Sequence, residues 1–137
     1  MLRSVRRRRA LLVATAVSFA TVDLVHKSLA VAEFHHARSP FVALTMGAVI
    51  AALVVLVPRI SSNLAAFGAG IACGGALGNL VSLLAWSQGV PDPLVIGRTS
   101  GIAFNLADLF ALSGDMLLLS TVVVHGMRHR AQLRERV

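Results

Sequence analysis

The chain has 137 residues, of which 56% are hydrophobic and 14% charged, with a mean hydropathy of +0.78. That leaves too little polar surface for a water-soluble domain of this size and points to the bilayer class. The net charge of +7 is gathered at the two ends, where basic runs abut apolar segments. This pattern reads as cytoplasmic anchoring and argues against a nucleic-acid partner.

Taken in order, the chain opens on a basic tail, 1–9, with Arg3, Arg6, Arg7, Arg8 and Arg9. An apolar span over 10–32 follows, carrying Asp23 and Lys27. Its beginning also resembles a secretory signal peptide, with small residues at Ser18 and Ala20; cleavage there would leave three spans. The apolar run continues past Ala20, however, and its charges are patterned. "EFHHARSP" leads to a second span over 41–57, 17 residues without a charge. "PRISSN" then offers Ser62 or Asn63 as a helix cap. The third span, 64–86, holds Gly70, Gly74 and Gly78 four apart, a stripe suited to helix contact. Its Cys73 reads as a small packing residue. The longest connection, 87–101, contains Pro91-Asp92-Pro93. The fourth span, 102–125, carries Asp108 and Asp115, and a basic tail, 126–137, closes the chain. At ~1.5 Å per residue the spans reach about 26 to 35 Å, matching a hydrocarbon core. None shows the alternation of a barrel strand.

The expected fold is therefore an all-α membrane protein, one integral domain with four transmembrane helices. The N-terminal arginines, Arg59 and the C-terminal arginines fall on one side of a four-span arrangement, which predicts that both termini are cytoplasmic. A short extracytoplasmic loop region, with Arg38 and Arg98 set against Glu33 and Asp92, lies opposite.

Ionisable residues inside a bilayer are functional candidates. Asp23 and Lys27, at i and i+4 with the acid first, suit either a mutual ion pair or a supporting role beside a site. Asn105 and Asp108 are one turn apart at the outer end of the fourth span. Asp115 should lie on roughly the same face, ~10 Å deeper, as a buried polar contact or a cavity wall. Proline on either side stiffens the backbone of Asp92. Two carboxylates converging at the interface suggest an aspartyl dyad, in which one keeps a proton and the other activates water. Spacing alone does not establish that they meet. His26, His35, His36, His125 and His129 give no ligand set with credible spacing, so neither a metal nor a cofactor is assigned.

"DLVHK" in the first span, "GALGN" in the third, Asp92 in the loop and "FNLAD" opening the fourth occur in this order in signal peptidase II, the lipoprotein signal peptidase family. The resemblance covers about residues 23–119. It implies a four-helix membrane aspartyl endopeptidase that removes the signal peptide from diacylglyceryl-modified prolipoproteins. The enzyme would be a monomer in the bacterial inner membrane, with its site at the extracytoplasmic face. Asp92 and Asp108 match the catalytic pair, Asn79 and Asn105 the polar residues beside it, and Asp23 and Lys27 the first-helix pair.

The chain departs from the family pattern in three places, one of them the loop at Asp92, where Pro93 stands in place of the usual following aromatic. Where the family has Asp-Arg after "GN", it has Ser82 and Leu83, and Arg98 is the candidate replacement for the arginine. The family's Asn-x-Gly motif and larger sheet segment between the first two helices are represented only by "EFHHARSP". These departures keep a second reading open, a non-catalytic relative that binds lipopeptide or a membrane partner. A small transporter is a third, although no internal repeat supports it.

Overall fold

The computed structural model describes residues 2–37, 39–97 and 101–134. Four helices dominate: α1 (Leu2–Leu29), α2 (Pro40–Leu56), α3 (Asn63–Ala85) and α4 (Leu106–Arg134). Each is long and apolar enough to cross a membrane. α1 and α4 extend through the flanking arginines, so both basic ends begin as helix rather than as separate tails.

Local chemistry sets the helix starts. Ser39 caps α2, its hydroxyl accepting from Val42 N, and Pro40 occupies the first turn, where its missing N–H costs nothing. Of the two candidate caps for α3, Ser62 serves, accepting from Ala65 N at 3.1 Å. A short 3-10 turn, Val57–Arg59, joins α2 to α3. Arg8 Nε donates to Pro58 O at 2.8 Å, tying the start of α1 to this turn.

α3 is the central helix, packed between α1 and α4. Its small residues explain why. Gly70 and Gly74 face α1, where an added Cβ would meet Leu12 O at 2.8 Å and Ala16 O at 2.9 Å. Gly78 lies against the Asp23 carboxylate. Gly68 and Gly75 face α4 at Gly114, Leu118, Ala107 and Ala111. The glycine stripe is thus a contact surface, and α3 uses two of its sides. Such close approach lets dispersion and lipid release drive association where no hydrophobic effect operates between helices. Leu12, Ala65, Ala66, Ala69 and Cys73 fill the core between them. Phe19 and Phe110 add an edge-to-face contact between α1 and α4, with centroids 4.8 Å apart.

α2 differs from the other three in burying no residue of its own. Phe41 and Leu44 are among its exposed apolar side chains. For a bilayer helix such a surface is lipid-facing and needs no further cover.

The sequence reading contains no strands, and here the structure adds to it. β1 (Phe34–His36) pairs antiparallel with β2 (Val90–Asp92), and β3 (Leu94–Ile96) with β4 (Ile102–Phe104). "EFHHARSP" therefore supplies a short strand that holds the connection containing Asp92. Gly89, at φ +101°, makes the turn into β2; a side chain there would be strained and would meet His36 O. These two small sheets lie at the end of the bundle where α1 and α3 stop and α4 begins.

Candidate active site

The first turn of α4 organises the site. Asn105 stands before the helix, and its Oδ1 accepts from Asp108 N at 3.1 Å. Asp108 returns the bond, its Oδ2 accepting from Asn105 N at 3.2 Å. This is a capping box written N-x-x-D, satisfying two N–H groups that a helix start leaves open. The intervening Ala107 N donates to Asp23 Oδ1 on α1 at 2.8 Å. Three backbone groups of one helix terminus are thus bonded by residues that all figured in the sequence motifs.

Asn105 also reaches outward. Its Nδ2 donates to Asp92 Oδ1 at 2.6 Å and to Pro91 O at 3.4 Å. One asparagine therefore contacts both candidate carboxylates, through its side chain on Asp92 and through its backbone on Asp108. Asn79 Nδ2 donates to Asp108 Oδ1 at 2.9 Å. Asp92 and Asn105 are fully buried, while Asp108 is partly exposed.

Beneath them lies a buried polar layer. Lys27 Nζ donates to Asp23 Oδ2 at 2.7 Å, to Asn79 Oδ1 at 2.8 Å and to Ser82 Oγ at 3.2 Å. An ammonium has three donors, so Lys27 is fully committed. Its bond to Asn79 Oδ1 leaves Nδ2 directed at Asp108. The Lys27–Asp23 pair is thus an ion pair and at the same time a support under the site.

All six residues singled out in the sequence, Asp23, Lys27, Asn79, Asp92, Asn105 and Asp108, join one hydrogen-bonded network. Two residues of the network were not singled out. Ser82, noted only as a departure, is buried and accepts from Lys27. His36 places its Nδ1 against Asp92 Oδ2. The His-His pair was visible in the sequence, but strand register was not. Arg98 lies outside the described residues. Asp115 is exposed, not a buried contact. The face of α4 that packs on α3 runs through Ala107, Ala111, Gly114 and Leu118. Asp108 and Asp115 lie one residue off that stripe, and only Asp108 has partners at the helix end. His35 and His36, adjacent on a strand, point to opposite faces, as expected of neighbours.

The family model described as Signal peptidase (SPase) II matches residues 12–124. The chain belongs to the signal peptidase II family. A comparison with curated proteins gives no match. Membership makes this a multi-pass membrane protein from a family of aspartic-type lipoprotein signal peptidases, which act on lipoprotein substrates in the membrane. The match begins in α1 and ends in α4, so it takes in every residue of the polar network.

Proposed function

We propose that the chain is an intramembrane aspartyl endopeptidase, cleaving the signal peptide from diacylglyceryl-modified prolipoproteins at the extracytoplasmic face of a bacterial cytoplasmic membrane. Asp92 and Asp108 are the catalytic pair. The observation that carries this reading is Asn105, which bonds to both carboxylates at once. An asparagine held in a helix cap and shared in this way supports the reading, because it links the loop aspartate to the aspartate at the start of α4.

The chemistry follows from having two such acids. Close carboxylates share a proton, since both do not readily ionise together. The ionised one takes a proton from water as its oxygen attacks the scissile carbonyl carbon. The protonated one gives its proton to the carbonyl oxygen, producing a neutral tetrahedral intermediate. Collapse of that intermediate breaks the C–N bond, with a proton passing to the departing amine. Asn79 orients Asp108, and Lys27 and Asp23 hold Asn79 and the start of α4. The groove between α2 and α3, about 270 Å³ and lined by Phe41, Val42, Thr45, Met46, Val49 and Ala76, suits an acyl chain or signal helix. Thr45 spends its hydroxyl on Phe41 O, so it too presents apolar surface there.

The resemblance also favours a second reading. Leu83 stands where signal peptidase II typically has arginine, so α3 has no cation at that position. On that reading the chain binds lipopeptide without hydrolysing it.

The two readings separate in a cleavage assay with purified protein and a lipobox peptide, with or without diacylglyceryl on its cysteine. We expect cleavage of the lipidated peptide alone. Asp92→Asn and Asp108→Asn should each lower the rate at least about 100-fold, the low end of what a positioned acid or base contributes. Cleavage by either variant at the wild-type rate would reject the dyad. Binding without cleavage by folded wild-type protein would establish the second reading.

A further inference from the structure

His36, in the short segment between the first two helices, touches the buried carboxylate of Asp92. The contact follows from strand register. Phe34 faces Asp92 and His36 faces Val90 across the β1–β2 pair. Directly opposed residues project to the same side of a sheet, so His36 and Asp92 are diagonal neighbours on one face, a separation that an aromatic ring bridges. His36 Nδ1 lies against Asp92 Oδ2, while Asn105 occupies Oδ1. The imidazole is 59% exposed and the carboxylate is fully buried.

Among the contacts of Asp108 are N–H bonds from Asn79 and from the Asn105 backbone. Asp92 receives one amide and, in addition, an imidazole, a group that can carry charge. Among the described residues of the network the only other basic side chain is Lys27, whose three donors are taken by Asp23, Asn79 and Ser82.

We infer that His36 is a positioning residue for Asp92. Its Nδ1–H donates to Asp92 Oδ2 and fixes the carboxylate's plane. His36 does not itself touch the scissile group. The inference rests on the reading of Asp92 and Asp108 as a catalytic pair, but the contact can be tested without any turnover.

Two measurements decide it. The first uses protein labelled with ¹⁵N-histidine in detergent micelles, with His36→Phe to assign the resonance. A charge-assisted bond deshields its proton strongly, so wild type should show a downfield Nδ1–H for His36 that shifts in Asp92→Asn. A His36 signal that is unchanged by Asp92→Asn would overturn the inference, whatever the peptide assay gives. The second is kinetic, on the lipidated peptide. His36→Phe keeps a ring but no N–H, and should lower kcat about 10- to 100-fold with KM unchanged. His36→Asn retains an N–H near the Nδ1 position and should recover most of that loss. Equal activity of His36→Phe and wild type, or a change confined to KM, would also overturn it. If wild type fails to cleave but the downfield proton is present and responds to Asp92→Asn, the proposed protease function falls and the His36–Asp92 contact stands.

Discussion

Lys27 is shielded from water and held by three hydrogen-bond partners. It and Asp23 are both buried between α1 and α3. Removing the ammonium alone, as in Lys27→Met, strands the Asp23 carboxylate, which typically costs about 3–5 kcal/mol. Replacing both, as Asp23→Asn with Lys27→Met, should recover much of that stability. An asparagine at 23 still presents an Oδ1 to Ala107 N. Thermal unfolding in detergent micelles checks this: the double variant should melt above Lys27→Met. If it melts lower, the pair acts through something other than mutual neutralisation. At this scale the sequence was informative where chemistry is local. The i, i+4 spacing of Asp23 and Lys27 gave the pair, and the N-x-x-D of "FNLAD" fits a capping box. It was uninformative where partners come from elsewhere in the chain. His36 meets Asp92 through a register fixed by three-residue strands with no alternating pattern of their own. Ser82 was legible only as a departure, because its value lies in facing Lys27 across two helices.

Among the elements, α3 and α2 use glycine in opposite ways. A methyl at Gly75 would run into the α4 backbone at Ala107 and Ala111, neither of which can give way as a side chain can. Gly47 on α2 has open space around it. Gly75→Ala should therefore destabilise the protein by roughly 1–3 kcal/mol, the usual range for overpacking. Gly47→Ala should be neutral or stabilising by up to about 1 kcal/mol, since alanine is the better helix former. Melting temperatures of both variants in one detergent check the contrast, and similar shifts would contradict it. The Gly70, Gly74, Gly78 period announced a contact face in the sequence. It did not announce that Gly68 and Gly75 form a second one, because a stripe reveals spacing and not which neighbour it meets. The strands leave no pattern in the sequence for a related reason: segments of three residues are too short for periodicity to register.

For the molecule as a whole, hydrophobic content and run length were enough to reveal four membrane helices, since a bilayer leaves a chain few alternatives. Orientation rests on a different signal, the distribution of arginine. It predicts that Ser61 faces the cytoplasm and Ile96, exposed in the β3–β4 hairpin, faces outside. In a Cys73→Ser background, a membrane-impermeant thiol reagent added to intact cells should label Ile96→Cys and leave Ser61→Cys unlabelled until the cells are opened. Labelling in the reverse order would invert the topology. The convergence of the site could not be read from spacing, because Asp92 and Asp108 are brought together by Asn105 and by the sheets above it, not by a shared helix face.

The unburied flank of α2 carries a kinetic consequence. A helix with no fully buried residue leaves its groove with α3 open toward the plane of the membrane, and the family's lipoprotein substrates already reside in that plane. For the function proposed above, encounter is then a search in two dimensions. The concentration that governs it is the number of substrate molecules per lipid, not per litre. Adding inert lipid or detergent at fixed bulk substrate dilutes the reactants as surely as adding water dilutes a soluble enzyme, and saturation belongs on a scale of mole fraction.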